Sequence, residues 1–104
     1  MPEHAPVDLD AVLGAFGISP LRVGLIRVAL QRGSVSLPEL VEELGVSRTT
    51  LITHKDALVE AGILLERRDP SMAGARSGFN RFVYRVDEKV LRAHLEQLRD
   101  SLFP

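Results

Sequence analysis

The sequence predicts a single α+β domain that is mainly α-helical and carries a small antiparallel β-hairpin near its carboxyl end. The chain has 104 residues, enough for one ordinary domain and too few for two. Apolar residues recur at helical spacing over most of the chain, and after Gly62 their spacing changes to the alternation of a β-strand. We expect residues 1–7 to form a flexible arm and residues 8–104 to form the domain, in the order α-α-(β)-α-α-β-β-α.

The first two predicted helices have clear start and stop signals. Apolar spacing predicts a helix over residues 8–16, which Gly17 would end. Ser19-Pro20 is a helix start, because serine is a good N-cap and proline fits the first helical position. This second helix should end at Gly33, and Val35 then begins a very short strand.

Residues 37–61 have the pattern of two short helices joined by a tight turn. Ser36 and Glu39 form a capping box at the start of the first helix, and Ser47 is the N-cap of the second. Gly45 lies between them and supplies the left-handed backbone that the turn needs. This is the layout of a helix-turn-helix motif. The residues expected to pack across the turn are Leu40, Leu44, Val46 and Leu51, and the expected inward face of the second helix is Leu51, His54, Leu58 and Ala61.

Residues 63–86 predict the hairpin, which would form a wing beside the helix-turn-helix. A strand over residues 63–68 is followed by a loop over residues 69–78 that is rich in Gly, Pro and Ser. Residues 79–86 alternate as a second strand. Its expected inward side chains are Phe82, Tyr84 and Val86.

The last predicted helix spans residues 87–102, with Asp87 as its N-cap. Its leucines form a seam that suits packing against another helix. This seam favours a homodimer, although a monomer that packs its last helix on its first would show the same leucines. The expected interface residues are Leu9, Val12, Leu13, Phe16, Leu91, Leu95, Leu98 and Leu102.

The charge is divided unevenly along the chain. The formal net charge is −1, yet residues 48–85 contain seven basic and four acidic side chains, whereas residues 1–47 contain three and six. Residues 86–104 contain three basic and four acidic side chains. Because local charge sets the field that a phosphate backbone meets, the middle of the chain is the candidate nucleic-acid-binding region.

The second helix of the helix-turn-helix carries the candidate base-reading residues. An arginine such as Arg48 can bind guanine O6 and N7, and a threonine such as Thr49 can donate, accept or touch a thymine methyl. Ile52 would also suit a thymine methyl, or is simply a partly covered surface residue. The expected recognition-helix contacts are Ser47, Arg48, Thr49, Thr50, Ile52, Thr53 and Lys55. The expected wing contacts are Arg67, Arg68, Arg76 and Arg81, unless these arginines only solvate the hairpin.

The segments SLPELVEELGVSRTTLITHKDALVEAGIL (36–64) and RFVYRV (81–86) carry a family resemblance. Residues 21–86 resemble the winged-helix domain of ArsR-type regulators and, as a second choice, MarR-like regulators of bacteria and archaea. The resemblance implies a winged helix-turn-helix fold, a homodimer formed by the first and last helices, and groove contacts at Arg48, Thr49, Ile52 and Thr53. It also implies that His54 packs and forms hydrogen bonds.

Several kinds of site are not indicated. The chain has no Cys, so disulfides and the cysteine metal-sensing sites of ArsR-type proteins are excluded, and a reducing cytoplasm is the expected location. Asp87 and His94 alone make a poor metal site, because zinc normally takes three or four protein ligands. The three His residues are scattered without a nucleophile or a phosphate loop, so we expect neither an enzyme nor a cofactor, and no effector is identified. No apolar run is long enough to cross a membrane.

The expected function is sequence-specific binding of double-stranded DNA by a homodimeric transcriptional regulator, most simply a repressor acting at an inverted repeat. Two alternatives stay open. Winged helices also serve as protein-docking modules, and the same surface would serve a DNA-binding protein of plasmid or phage maintenance.

Overall fold

The computed structural model describes residues 8–72 and 81–103, so the predicted arm and most of the predicted loop lie outside the described residues. The helices are α1 (Leu9–Phe16), α2 (Pro20–Arg32), α3 (Leu37–Leu44), α4 (Arg48–Glu60) and α5 (Glu88–Leu102). The strands are β1 (Val35–Ser36), β2 (Leu64–Arg68) and β3 (Phe82–Val86). The element order and the mainly helical α+β class are those predicted.

The predicted hairpin is part of a three-stranded antiparallel sheet in the order β1-β3-β2. In the hairpin, Leu64 lies opposite Val86 and Arg68 opposite Phe82. The short strand β1 adds to the other side of β3, where Val35 lies opposite Tyr84. Val35 and Tyr84 are both buried, so this pairing closes the sheet over the core.

The core lies between one face of this sheet and helices α2, α3 and α4. The predicted packing across the helix-turn-helix is present: Leu40 and Leu51 are fully buried, and Leu44 and Val46 pack against them at the edge. The predicted inward face of the second strand is also present, with Tyr84 and Val86 buried and Phe82 half-buried.

One predicted detail of this region is wrong. Ala61 is exposed, because α4 ends at Glu60, Ala61 is its C-cap and Gly62 turns the chain away at a φ of 79°. The start of the predicted loop is ordered as a 3₁₀ turn over Pro70–Met72, which begins where the Asp69 carboxylate accepts a hydrogen bond from the Ser71 N–H at 3.0 Å.

The two terminal helices pack much less closely than the central ones. In α5 no residue is buried, and in α1 only Leu13 is buried. Leu91 is half-buried at the edge of the core, so the first part of α5 is attached to the domain and the rest exposes its leucines. Among the described residues, these helices therefore carry most of the large exposed apolar side chains.

Candidate nucleic-acid interface

The geometry of the helix-turn-helix follows from local capping. The Ser36 hydroxyl accepts a hydrogen bond from the Glu39 N–H at 3.3 Å, and the Glu39 carboxylate accepts one from the Ser36 N–H at 3.0 Å, which completes the capping box. The Ser36 hydroxyl also donates to the Glu39 carboxylate, at 2.8 Å. The hydrogen bonds that this carboxylate accepts from the Ser36 N–H and then from the Ser36 hydroxyl lower the pKa of Glu39, and nearby Arg32 adds to the effect. Gly45 ends α3 in the left-handed region, with φ 65° and ψ 36°. The chain therefore turns directly into α4.

The amino end of α4 presents an exposed, polar surface. The Ser47 hydroxyl accepts a hydrogen bond from the Thr50 N–H at 3.2 Å and lies 2.9 Å from the Thr50 hydroxyl, so these two side chains bond to each other. Arg48, Thr49 and Thr53 are exposed on the same part of the helix. The Thr53 hydroxyl donates to the Thr49 carbonyl at 3.2 Å. One guanidinium and two threonines thus form the outward surface of the first two turns.

Two residues predicted for this surface have other surroundings. Ile52 is half-buried and packs against the core, as expected of a partly covered surface isoleucine. The Lys55 side chain is only 13% exposed, with its Nζ 2.6 Å from the Asp56 carboxylate and 3.8 Å from that of Glu66. Lys55 therefore lies towards the sheet and not on the outward face of α4. Beyond the threonines, the exposed face of α4 carries carboxylates, at Asp56 and Glu60.

Tyr84 and Glu66 form a contact that the sequence analysis did not identify. Tyr84 lies opposite Glu66 in the hairpin, and its hydroxyl donates to Glu66 Oε2 at 2.6 Å. Burial of the phenol, followed by this hydrogen bond, holds the pKa of Tyr84 well above its usual range. The ring also lies beneath Lys55, whose Nζ is 5.6 Å from the ring centre. A buried tyrosine on a strand needs a polar partner, which is the signal that could have indicated this contact.

A second contact missed by sequence analysis joins α2 to α4. Arg22 Nε donates to His54 Nδ1 at 3.2 Å, so the imidazole is an acceptor at that nitrogen. Both side chains are half-buried. The hydrogen-bonding role that the family resemblance implied for His54 is present, and it holds an arginine of α2 beside α4.

The described part of the wing presents three exposed arginines, Arg67 and Arg68 in β2 and Arg85 in β3. Arg67 and Arg68 are exposed at the outer end of β2, and Arg81 is half-buried just before β3. The Asp69 N–H donates to the Arg81 carbonyl at 2.7 Å, which holds the two sides of the hairpin together at this level. Arg67, Arg68 and Arg85 line a shallow groove of about 370 Å³ together with Leu65 and Val83. Arg76, the other predicted wing contact, lies outside the described residues.

The predicted dimer residues divide into buried and exposed groups. Leu13 is buried, and Val12 and Leu91 are half-buried within the chain. The remaining leucines of the α5 seam are largely exposed, at 58% for Leu95, 41% for Leu98 and 52% for Leu102. Leu9 and Phe16 of α1 are similarly exposed. Leu95 also lines an apolar groove of about 500 Å³ between α5 and α2, together with Val23, Ile26, Leu30 and Leu91.

The residues considered for a metal have structural partners. The Asp87 carboxylate accepts the Val90 N–H at 3.2 Å, and His94 Nε2 lies 3.0 Å from the Ala61 carbonyl. Within the described ranges, no group of three or more His, Asp or Glu side chains is arranged to hold a metal ion. None of the described helices is by itself long and apolar enough to cross a membrane, and α1 and α2 reach that length and composition only as a pair bent by 118°.

Comparison with known proteins identifies the fold. No family model and no curated protein matches the sequence. Among solved structures, the chain is similar to the reduced form of MarR from E. coli, with a TM-score of 0.63 and 16% identity over 92% of this chain and 85% of that chain. The fold is a winged helix. The likeness to MarR fits the second of the two family resemblances, and the ArsR-type resemblance is not confirmed.

Two archaeal structures show the same likeness. A protein of the thermoacidophilic archaeon Sulfolobus tokodaii has a TM-score of 0.63 and 16% identity over 88% of this chain and 83% of its own. A possible transcriptional regulator from Methanosarcina mazei has a TM-score of 0.58 and 14% identity over 96% of each chain. At these identities the likeness establishes the arrangement of helices and strands, so function has to be argued from the surface itself.

Proposed function

We propose that this protein is a homodimeric transcriptional regulator of the MarR-like kind that binds a specific sequence of double-stranded DNA. The observation that carries the proposal is the exposed amino end of α4, where Arg48, Thr49 and Thr53 stand on a helix held by a complete helix-turn-helix. In such motifs the amino end of the second helix is the part that reaches base edges in the major groove. Two of the structural neighbours support it, since one is MarR and another is described as a possible transcriptional regulator.

The exposed side chains in the first two turns of α4 have specific roles in this proposal. Arg48 makes a bidentate contact with a guanine, and Thr49 and Thr53 contact neighbouring bases or thymine methyls. Ser47 and Thr50 fix the helix start through the hydrogen bonds between them. Their hydroxyls contact the DNA backbone only through hydrogen bonds that remain available after capping. Ile52 is half-buried, and the exposed part of its side chain contacts a thymine methyl. Lys55 has no DNA contact in this arrangement, because its side chain is only 13% exposed and its ammonium lies 2.6 Å from the Asp56 carboxylate and 3.8 Å from that of Glu66.

The wing supplies the sequence-independent part of the affinity. Arg67 and Arg68 are exposed at its outer end, and no described residue pairs with either of them. Guanidinium groups in this position contact phosphates or enter the minor groove beside the site read by α4. Arg81, and Arg76 in the segment beyond the described residues, complete the proposed wing contacts.

A second copy of the chain is the proposed partner of α1 and α5. Isolated leucines on a surface are ordinary, but a seam of exposed leucines continuous with an apolar groove indicates an interface. Pairing these helices around a twofold axis would cover Leu95, Leu98, Leu102, Leu9 and Phe16. A dimer of this kind places two α4 helices about one DNA turn, ~34 Å, apart on an inverted repeat.

Sedimentation equilibrium tests this dimer. Replacing Leu95 and Leu98 by Gln should convert the dimer to monomer, because two apolar contacts are lost from the seam. The matched control replaces Glu96 and Arg99, exposed neighbours on the same helix, by Gln and leaves the net charge unchanged. A parent protein that is monomeric at all concentrations would contradict the proposed interface.

Binding to a promoter would repress transcription by occluding RNA polymerase. The regulators that this chain resembles belong to bacteria and archaea, so the proposed place of action is the cytoplasm, where the DNA lies. A maintenance protein of a plasmid or phage would use the same DNA-binding surface at a different site.

Protein docking is the second candidate function, and the carboxylates of α4 favour it. Asp56 and Glu60 are exposed on the helix face that would approach DNA, and the net charge of the chain is −1. Selection of bound duplexes from a random pool, followed by a salt titration, separates the candidates. Recovery of a symmetric site whose affinity falls steeply with salt supports the proposed regulator. Absence of binding even at low salt favours the docking module.

A further inference from the structure

One ionic and aromatic cluster joins the proposed recognition helix to the wing. Glu66 Oε2 accepts the Tyr84 O–H at 2.6 Å and lies 3.8 Å from Lys55 Nζ. Lys55 in turn lies over the Tyr84 ring, 5.6 Å from its centre. The Lys55–Glu66–Tyr84 cluster thus contains one side chain from α4 and one from each strand of the hairpin, and they meet at a single carboxylate oxygen.

The cluster occupies the space between the two proposed DNA-contacting elements. Glu66 is adjacent in β2 to Arg67, and side chains of neighbouring strand residues point to opposite faces. Glu66 therefore faces α4, while Arg67 faces away from it. Lys55 is only 13% exposed, and reaching a phosphate would require it to leave both Glu66 and Asp56.

We propose that Glu66 is a positioning residue, which holds α4 and the wing at a fixed angle through Lys55 and Tyr84 so that both engage DNA as one unit. This inference rests on the proposed DNA-binding function. A fixed angle between α4 and the wing raises the affinity for DNA, because elements that are already ordered in the free protein lose less conformational entropy on binding. Without the cluster, α4 would still enter the major groove, but the wing would contact the backbone less often.

The sign of one substitution distinguishes this role from simple electrostatics. Glu66→Gln removes a negative charge near a polyanion, so electrostatics alone predicts tighter binding to DNA. The positioning role predicts weaker binding, by about threefold to tenfold, which lies in the lower part of the range for coupled residues. The control is Glu60→Gln, which makes the same charge change on the exposed face of α4. Glu60→Gln should bind as tightly as the parent or more tightly.

A double-mutant cycle and a footprint complete the test, both on a duplex recovered by the selection. If Lys55 acts through Glu66, the double variant Lys55→Met with Glu66→Gln binds no more weakly than Lys55→Met alone. If Lys55 instead contacts a phosphate, the two effects add and Lys55→Met lowers the salt slope by about one. Hydroxyl-radical footprinting of Glu66→Gln should show loss of protection at the outer flanks, where the wing lies, with central protection retained. A general loss of folding would instead reduce the flanking and the central protection together.

The test also separates failure of this inference from failure of the proposed function. Glu66→Gln that binds DNA as tightly as the parent or better overturns the positioning role, whereas a parent protein that binds no duplex overturns DNA binding itself. In that second case, hydrogen exchange still tests the cluster. The amides of β2 should exchange faster in Lys55→Met than in the parent, with α2 unchanged, and equal exchange in both proteins overturns the inferred link.

Discussion

Replacing Leu51 by Ala should remove a large part of the stability of the domain. Leu51 is 0% exposed and lies where α4 packs against α2, α3 and the sheet. Losing three buried carbons costs about 2.4 kcal/mol in transfer free energy, at ~0.8 kcal/mol for each. A fully enclosed site collapses only partly, so the cavity raises the expected loss to about 3–4 kcal/mol. For a domain of this size, that lowers the Tm by about 12–30 °C.

Urea unfolding at one fixed protein concentration measures this loss, with the midpoint falling and the slope m unchanged. The control is Leu65→Ala, on the outer face of the sheet, where the side chain is 38% exposed. That change removes less buried area than Leu51→Ala and leaves no enclosed cavity, so it should cost only about 1.5 kcal/mol. If Leu51→Ala cost no more than Leu65→Ala, the assignment of Leu51 to the centre of the core would be refuted.

Three further changes test the local geometry. Gly45→Ala should cost about 1 kcal/mol of folding stability, because φ is 65° at this position although an added Cβ would meet no atom within 4 Å. The control Gly14→Ala is equally unobstructed but lies within α1, so it should not destabilise the domain. Equal losses in the two variants would contradict the turn geometry. Ser47→Ala should cost about 1 kcal/mol through loss of the N-cap, and an unchanged urea midpoint would argue against the cap. Because the pKa of Glu39 is lowered on folding, its stabilising contribution is present above the ordinary glutamate pKa and is lost as the pH falls through the folded value. Glu39→Gln should therefore lose less stability than the parent between pH 6 and pH ~3.5, and identical pH profiles would exclude that contribution.

Local signals in the sequence predicted most of the fold. The capping box at Ser36, the left-handed turn at Gly45 and the N-cap at Ser47 are each decided within a few residues, and all three are present. The strand β1 was predicted only as a very short strand at Val35, and its pairing with β3 was not predicted. Val35 pairs with Tyr84, and a pairing across that length of chain depends on the assembled core and not on local propensity.

The candidate site was predicted less completely than the fold. The exposed start of α4 follows from helical spacing, but Lys55 was assigned outward although it lies four residues after Leu51, on the same side of the helix. The spacing of four residues from Leu51 was the signal in the sequence that could have placed Lys55 on the inner side of the helix. The contact of Arg22 with His54 joins residues 32 positions apart, and no local pattern in the sequence indicates it. Side-chain contacts between elements therefore had to come from the structure.

The most direct test of the account compares Arg48→Ala with the parent on the duplex recovered by selection. Arg48 is exposed in the first turn of α4, so its loss should weaken binding by about 1–3 kcal/mol and relax the preference at one base pair in each half-site. The control Arg92→Ala makes the same charge change at an exposed position of α5, outside the leucine seam and away from the proposed DNA-contacting surface, and should leave the base preference unchanged. An Arg48→Ala protein that binds with the affinity and base preference of the parent would contradict the assignment of α4 as the recognition helix.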